Sequence, residues 1–350
     1  MPVFHDQPVA LMVAVFVASA AMVWIAGTRL ALLGDEIAER FQLTRAFVGL
    51  IFLATATELP EIVTSLTAAH LGNASLVLGN MFGGITMQTA ILAVADVLVV
   101  KYALTSWPRK STHALLAVML MVLLSLLLAV SLLRDLSIGF NIGLGALLVS
   151  LAYPVTIALL RAFDEKDSWA PVDLPEIDTP ETAKKFSSNG FEELSARALL
   201  TQAVISSLVI LLAGIALALS ANSIAENTHL GSSFVGITLL AAATSMPELS
   251  TTIAAARIGA YTMAISNIMG SNLIMLALIF PADIAYRSGP ILSEVGPGAQ
   301  FSLVVGILVT GIYAAGLLMR RTPRLFNAGL DSWLVIFAYV TMLIVLYPMQ

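Results

Sequence analysis

The 350-residue sequence contains no cysteine, and only 11% of its residues are charged. The absence of cysteine excludes disulfides, zinc–thiolate sites, iron–sulfur clusters and cysteine nucleophiles. The four histidines are scattered, and no glycine-rich nucleotide-binding motif is present, which argues against a pump driven by ATP. Because a soluble domain has about 25% charged residues, we predict a chain that is solvated mainly by lipid and needs no cofactor.

Hydrophobic residues make up 59% of the chain and are grouped in long runs. A transmembrane helix needs about 20 consecutive apolar residues. Runs of this kind fall near 9–33, 46–69, 75–100, 113–133, 138–162, 198–222, 233–257, 261–283, 300–319 and 328–348. We therefore predict an all-α integral membrane protein with ten transmembrane helices.

One long polar stretch, residues 163–197, separates a first five-helix unit (1–162) from a second (198–350). This stretch carries nine acidic and four basic residues together with three prolines. Such a composition is typical of a linker. A calcium-sensing role is the alternative, although no EF-hand spacing is present.

The segment 47–87 is repeated without a gap as 234–274, at an offset of 187 residues. About 15 of the 41 aligned positions are identical, including the pairs Thr57/Thr244, Pro60/Pro247, Glu61/Glu248, Asn80/Asn267 and Gly83/Gly270. Each copy places a glutamate in the middle of an apolar run. Duplicated halves with carboxylates inside the membrane are typical of ion transporters.

The same offset aligns the first predicted helix with the sixth, so the duplicated unit has five helices. An odd number of helices means that the second unit enters the membrane from the opposite side, and we predict inverted repeats. With both termini outside, 15 of the 17 basic residues lie in cytoplasmic loops, as the positive-inside rule requires. The acidic linker is then cytoplasmic, and we expect a multi-pass protein of the plasma (cell inner) membrane.

The stretch Thr57–Glu61 and its copy Thr244–Glu248 combine hydroxyl, proline and carboxylate groups. Burying a lone carboxylate in a bilayer costs at least a few kcal/mol, which a bound cation or a proton would offset. Proline also leaves the carbonyl oxygen four residues earlier without its helical partner. Oxygen ligands of this kind suit Ca²⁺, Na⁺ or H⁺; a structural kink with a hydrogen-bonded glutamate is the alternative.

The segments that follow each glutamate helix contain small residues and one equivalent asparagine each, Asn80 and Asn267. Small residues let transmembrane helices approach closely. The amide oxygens of the two asparagines are either cation ligands or packing groups. Four aspartates near predicted helix ends are expected to reach interfacial water in structural roles: Asp96, Asp135, Asp283 and Asp331.

These paired motifs, in inverted five-helix halves, resemble the α-repeats of the cation/calcium antiporter superfamily, and the prokaryotic sodium/calcium exchangers in particular. The resemblance covers nearly the whole chain. It implies that helices 2, 3, 7 and 8 hold four cation sites, and that the tilted helices 1 and 6 slide against this core. Carried over to this sequence, it implies that the metal ligands include Glu61, Glu248, Thr57, Thr244, Ser245, Ala54, Ala241 and Ser271.

Four positions depart from the pattern of that family. Glu58 and Gly84 stand where serines are usual, Gln88 stands for an asparagine, and Met275 replaces an acidic or amide residue. Glu58 and Glu61 share a helix face because they are three residues apart. We therefore add Glu58 and Gln88 to the expected metal ligands, with the hypothesis that Glu58 supplies the charge lost at Met275; the alternative is that Glu58 points elsewhere.

The sequence thus predicts an antiporter that exchanges Ca²⁺ for Na⁺ by alternating access, with inorganic cations and the bilayer as its partners and no nucleic acid. A proton-coupled or differently selective exchanger of the same fold is the first alternative, because three neighbouring carboxylates repel each other and favour protonation. An intramembrane enzyme that uses the glutamates as acid and base is a second alternative, and a membrane scaffold without transport is a third.

Overall fold

The computed structural model describes residues 8–40, 57–100, 103–108, 111–164, 194–228, 230–257, 259, 261–319, 323–326 and 328–349. Within these ranges the chain is mostly helical. The helices are α1 Val9–Arg40, α2 Leu59–His70, α3 Ala74–Val99, α4 Thr112–Leu133, α5 Leu144–Asp164, α6 Ala196–Thr228, α7 Ser232–Thr244, α8 Met246–Arg257, α9 Tyr261–Ala277, α10 Ile279–Ala285, α11 Pro297–Met319 and α12 Leu330–Leu346. A two-stranded antiparallel hairpin, β1 Arg324–Leu325 and β2 Ala328–Gly329, precedes α12.

Eight helical segments of the described chain are long and apolar enough to cross a membrane. They are α1, α3, α4, α5, α6, the α9–α10 segment, α11 and α12. The other two predicted spans are the ones that carry the repeated glutamates. The span 46–69 is described only from Thr57 onward, and the span 233–257 is interrupted at Ser245, between α7 and α8.

Helix α3 and the segment Tyr261–Ala285 form the interior of the bundle. In their most apolar stretches 72% of the residues are buried, against 22% in α1 and α5. Helix α3 contacts α2, α7, α8, α9, α11 and α12. The outer helices instead expose large apolar side chains such as Ile25, Leu212 and Ile344, as expected of a surface that faces lipid.

Helices α1 and α6 pack along each other, and each crosses a glutamate helix of the other half, α1 over α8 and α6 over α2. Both crossings are made at glycine. Gly27 lies against the ring of Pro247, and a Cβ atom at Gly214 would come within 2.8 Å of Cγ1 of Val63. Since Gly27 and Gly214 are equivalent in the repeat, the close approach of backbones is a property of both halves.

Polar side chains fix the starts of two helices of the first half. The side chain of Asn73 accepts a hydrogen bond from the N–H of Leu76 (3.0 Å) and thereby caps α3. Asp135 accepts hydrogen bonds from the N–H groups of Gly145 (2.6 Å) and Ala146 (3.1 Å) at the start of α5. A carboxylate at this position both pairs the first N–H groups and interacts favourably with the helix dipole.

Asp96, near the end of α3, joins two distant parts of the chain. Its Oδ1 accepts a hydrogen bond from the N–H of Leu104, eight residues later (2.8 Å), and its Oδ2 accepts one from the N–H of Gly329, just before α12 (2.8 Å). The carboxylate is fully buried. It therefore ties the end of α3 to the last helix of the second half.

Asp283 repeats this arrangement in the second half. It accepts hydrogen bonds from the N–H of Ile291, again eight residues later (2.6 Å), and from the N–H of Gly143 at the start of α5 (2.6 Å). The expectation that Asp96, Asp283 and Asp331 reach interfacial water was wrong, since all three are at most 3% exposed. Backbone N–H groups and, for Asp331, also the hydroxyl of Thr105 take the place of water, which a sequence pattern does not reveal.

Candidate functional site

Two breaks in helix geometry lie at equivalent positions of the repeat. Helix α2 begins after a break at Glu58 (φ −75°, ψ −6°), and α7 ends at Ser245 (φ −82°, ψ 10°). Two residues after each break stands a proline, Pro60 or Pro247. In the first turn of a helix the missing proline N–H costs no hydrogen bond. The prolines therefore start α2 and α8 within apolar segments instead of kinking a continuous helix.

Three carboxylates meet at these breaks: Glu58, Glu61 and Glu248. Glu61 and Glu248 lie in the first turns of α2 and α8, where the helix dipole favours negative charge. One oxygen from each of the three side chains lies within 4.8 Å of the others, and all three residues are fully buried. A single ion could contact all three, since oxygen ligands of Ca²⁺ lie about 2.3–2.6 Å from the metal.

The charge of this cluster has no basic partner in the surrounding sequence. Neither the segment between Arg45 and Lys101 nor the segment between Arg197 and Arg257 contains lysine or arginine. Buried carboxylates without a counter-charge are costly in a low-dielectric environment. A bound cation or a proton would remove that cost.

Hydroxyl groups of each half lie beside the glutamate of the other half. The hydroxyl of Ser245 donates a hydrogen bond to Oε1 of Glu61 (3.3 Å), and Thr244 lies beside the same carboxylate. Thr57 lies beside Glu248. The crossed arrangement brings both copies of the repeat into one site.

Glu58 points into the cluster, and its neighbours come from α3 and α9. The amide nitrogen of Gln88 donates a hydrogen bond to Oε1 of Glu58 (2.8 Å), and Ser271 lies beside the same carboxylate. The departures from the family pattern at positions 58 and 88 are thus in direct contact with each other.

The amide nitrogens of Asn80 and Asn267 donate hydrogen bonds to hydroxyl groups of the two glutamate helices. Asn80 donates hydrogen bonds to Oγ of Ser65 (3.2 Å) and Oγ1 of Thr64 (3.5 Å), and Asn267 donates one to Oγ1 of Thr251 (3.4 Å). Thr64 and Thr251 were not among the predicted site residues. Their identity at equivalent positions, three residues after each glutamate, is the signal that could have identified them.

Several buried oxygen atoms of this site have no hydrogen-bond partner within the described part of the chain. A buried polar atom left unpaired costs about 1–3 kcal/mol, so a group of such oxygens is suited to bind a cation or a proton. They are Oε2 of Glu58, Oε2 of Glu61, both carboxylate oxygens of Glu248, Oε1 of Gln88, Oδ1 of Asn267 and Oγ of Ser271. All are hard oxygen donors of the kind that Ca²⁺, Na⁺ or H⁺ accepts.

Two alanines, Ala54 and Ala241, were expected to contribute carbonyl oxygens. Ala54 lies outside the described residues. The carbonyl oxygen of Ala241 accepts hydrogen bonds from the N–H of Ser245 (3.0 Å) and from the hydroxyl of Thr244 (3.3 Å). A cation that used this carbonyl would have to share it with these donors.

Comparison with protein families gives one match that covers most of the chain. The model of the family described as sodium/calcium exchanger protein matches in two stretches, residues 11–160 and 199–348. These stretches fall on either side of the polar segment 163–197. Among characterised proteins, the inner membrane protein YrbG of Escherichia coli (strain K12) is 22% identical over 344 residues, which cover 96% of this chain and 99% of YrbG.

Several solved structures are similar to this fold. A structure of the sodium-calcium exchanger NCX_Mj gives a TM-score of 0.59 at 18% identity, with 95% of this chain and 98% of that one covered. The structure of YfkE gives a TM-score of 0.64 at 15% identity, with 97% and 93% covered. At these identities the likeness concerns the fold.

Proposed function

This chain belongs to the sodium/calcium exchanger family and is a multi-pass membrane antiporter of cations, and we propose that it exchanges Ca²⁺ for Na⁺. The observation that carries the proposal is the group of three buried carboxylates, with four of their six oxygens unpaired within the described residues. The proposed ligands are Glu58, Glu61, Glu248, Thr57, Thr244, Ser245, Asn80, Asn267, Ser271, Gln88 and the carbonyl groups of Ala54 and Ala241.

Competition for the same carboxylates is sufficient to couple the two ions. Bound Ca²⁺ or Na⁺ lowers the negative charge of the cluster, and the loaded site can then be presented to the other side of the membrane. An empty site keeps two or three negative charges in a low-dielectric interior, which opposes that transition. Coupled exchange therefore needs no covalent step, and the family is one of exchangers, not of enzymes.

We propose the membrane topology on the same basis. The two copies form inverted five-helix units, 1–162 and 198–350, with both termini outside and the linker 163–197 in the cytoplasm. The equivalent contacts of Asn80 and Asn267, and of Asp96 and Asp283, support the duplication. Ten membrane crossings result when each broken segment, 46–69 and 233–257, spans the bilayer. The similarity to an inner membrane protein supports the plasma membrane as the location.

The test is uptake of radiolabelled Ca²⁺ into proteoliposomes that contain the purified full-length protein. Vesicles loaded with Na⁺ should accumulate Ca²⁺ when diluted into a Na⁺-free buffer, and vesicles loaded with K⁺ should not. The Glu248→Gln variant should reduce uptake to the level of protein-free vesicles. Equal uptake with Na⁺ and K⁺ inside would contradict Ca²⁺/Na⁺ exchange. Undiminished uptake in the variant would contradict the site, and a non-transporting scaffold would give no flux at all.

A second candidate, proton-coupled exchange, is favoured by Glu58. Three carboxylates within 4.8 Å carry one more negative charge than a single divalent cation neutralises, and a proton could balance the remainder. In this case Ca²⁺ uptake would follow an imposed pH gradient in the absence of Na⁺. Replacing Glu58 by Gln would then remove the pH dependence of this uptake, in addition to weakening Ca²⁺ binding.

A further inference from the structure

Within the proposed cation site, the two copies of the repeat differ at three pairs of equivalent positions. Where the repeat is otherwise identical or similar, one member of each pair is polar or charged and the other is smaller or apolar. The pairs, at the offset of 187 residues, are Glu58 with Ser245, Ser271 with Gly84, and Gln88 with Met275.

The three polar members of these pairs lie together on one side of the site. Gln88 donates its hydrogen bond to Glu58 (2.8 Å), and Ser271 lies beside the same carboxylate. Oε1 of Gln88, Oε2 of Glu58 and Oγ of Ser271 are buried without a hydrogen-bond partner in the part of the chain that the structure describes. This side therefore offers a carboxylate, an amide oxygen and a hydroxyl to a cation.

At the two positions equivalent to Ser271 and Gln88, Met275 occupies the space that a side chain at position 84 would need. Met275 is fully buried. A Cβ atom at Gly84 would lie 2.8 Å from Cε of Met275, which is closer than two carbon atoms approach without displacement. The missing side chain of one residue and the long side chain of the other are thus complementary.

Such a pair cannot hold a hard cation. The methyl group of methionine has no lone pair, and its thioether sulfur is a soft ligand that suits Cu(I) rather than Na⁺ or Ca²⁺. Gly84 contributes no side-chain ligand at all. A cation placed here would lose water without gaining the oxygen ligands that the equivalent residues supply on the other side.

We propose that Met275 and Gly84 are specificity-determining residues that close one half of the site to cations, so that binding is confined to the side of Glu58. The negative charge is then concentrated within 4.8 Å, and a divalent cation gains about twice the Coulomb energy of a monovalent one at the same place. The site then has fewer places for separate Na⁺ ions, and one divalent cation neutralises more of its charge than one Na⁺ does. This inference rests on the proposed function for the identity of the ions.

The test replaces Gly84 and Met275 by the polar residues that stand at their equivalent positions in the repeat. The double variant Gly84→Ser/Met275→Gln copies the residues Ser271 and Gln88. The single variant Met275→Ser opens the same space by shortening one side chain. The control Met275→Leu keeps an apolar side chain of similar volume. Binding of radiolabelled Na⁺ at saturation is measured on the purified full-length proteins in detergent, after gel filtration shows that each is monodisperse.

Both polar variants should bind one more Na⁺ per protein than the unmodified chain, and Met275→Leu should bind the same number. An unchanged number in both polar variants would overturn the inference, whatever that number is, and so would an equal gain in Met275→Leu. The Ca²⁺ flux of the unmodified chain is measured separately in proteoliposomes. A lack of Na⁺-driven flux would overturn the proposed function without changing the Na⁺ count on which this inference depends.

Discussion

The two copies of the repeat agree in their scaffold and differ in their ligands. Asp96 and Asp283 make the same pair of backbone hydrogen bonds, one to the N–H eight residues later and one to the start of a helix in the other half. At the proposed cation site, in contrast, Glu58 faces Gln88 in one half, whereas the position equivalent to Gln88 is Met275 in the other. The two copies thus keep equivalent structural contacts and differ at the positions that we propose as ion ligands.

Replacing Glu61 or Glu248, the glutamates present in both copies of the repeat, should have the largest effect on Ca²⁺ uptake, and the effect should be the same for both. Glu61→Gln and Glu248→Gln each remove one charge from a cluster whose oxygens lie within 4.8 Å, and we expect Na⁺-dependent Ca²⁺ uptake to fall to background in both. Uptake into proteoliposomes measures this, with thermal stability in detergent as the control for folding. If one variant kept most of its activity, the two glutamates would not share one ion.

Substitutions at Glu58 and at its equivalent Ser245 should have unequal effects on Ca²⁺ binding. Glu58→Gln should raise the Kd for Ca²⁺ about 10- to 100-fold, because about 1.4–3 kcal/mol of charge interaction is lost. Ser245→Ala removes only a neutral hydroxyl that donates to Glu61, and we expect a change of less than about tenfold. Titration of the purified proteins with Ca²⁺ measures both constants.

An unchanged Kd in Glu58→Gln would contradict the hypothesis that Glu58 supplies the charge missing at position 275. Equal effects of Glu58→Gln and Ser245→Ala would contradict the asymmetry itself.

Replacing Asp96 or Asp283 should have the smallest effect on Ca²⁺ binding, and the two variants should behave alike. In Asp96→Asn and Asp283→Asn one backbone N–H loses its acceptor or keeps a weaker one, at a cost of about 1–3 kcal/mol each. The midpoint of thermal unfolding in detergent should fall by a similar amount in both, and the Kd for Ca²⁺ should stay within about twofold of the unmodified value. A large change in that constant would show that these carboxylates act on the ion site.

Much of the architecture could be predicted because the bilayer restricts what a sequence can do. Long apolar runs predicted ten spans, of which eight are found in the described residues, and the constant offset of the repeat singled out Glu61 and Glu248. The spacing of Glu58 and Glu61 predicted a shared face, and both carboxylates do lie in one cluster. Their role as ligands stays a prediction.

Other features depend on contacts between distant segments. The burial of Asp96 and Asp283 results from N–H groups of residues far along the chain, such as Gly329 and Gly143. The fit of Met275 to Gly84 joins α3 to α9. Helical periodicity describes one segment at a time and carries no information about such pairs.

We propose that cations bind among the three carboxylates on the side of Glu58. The most direct measurement is an anomalous difference map from crystals of the full-length protein grown with Sr²⁺, a heavier substitute for Ca²⁺. We expect one peak among the oxygens of Glu58, Glu61 and Glu248, at slightly longer distances than the about 2.3–2.6 Å of Ca²⁺, with none beside Met275. A peak between Met275 and Gly84, or no peak among the carboxylates at saturating Sr²⁺, would contradict it.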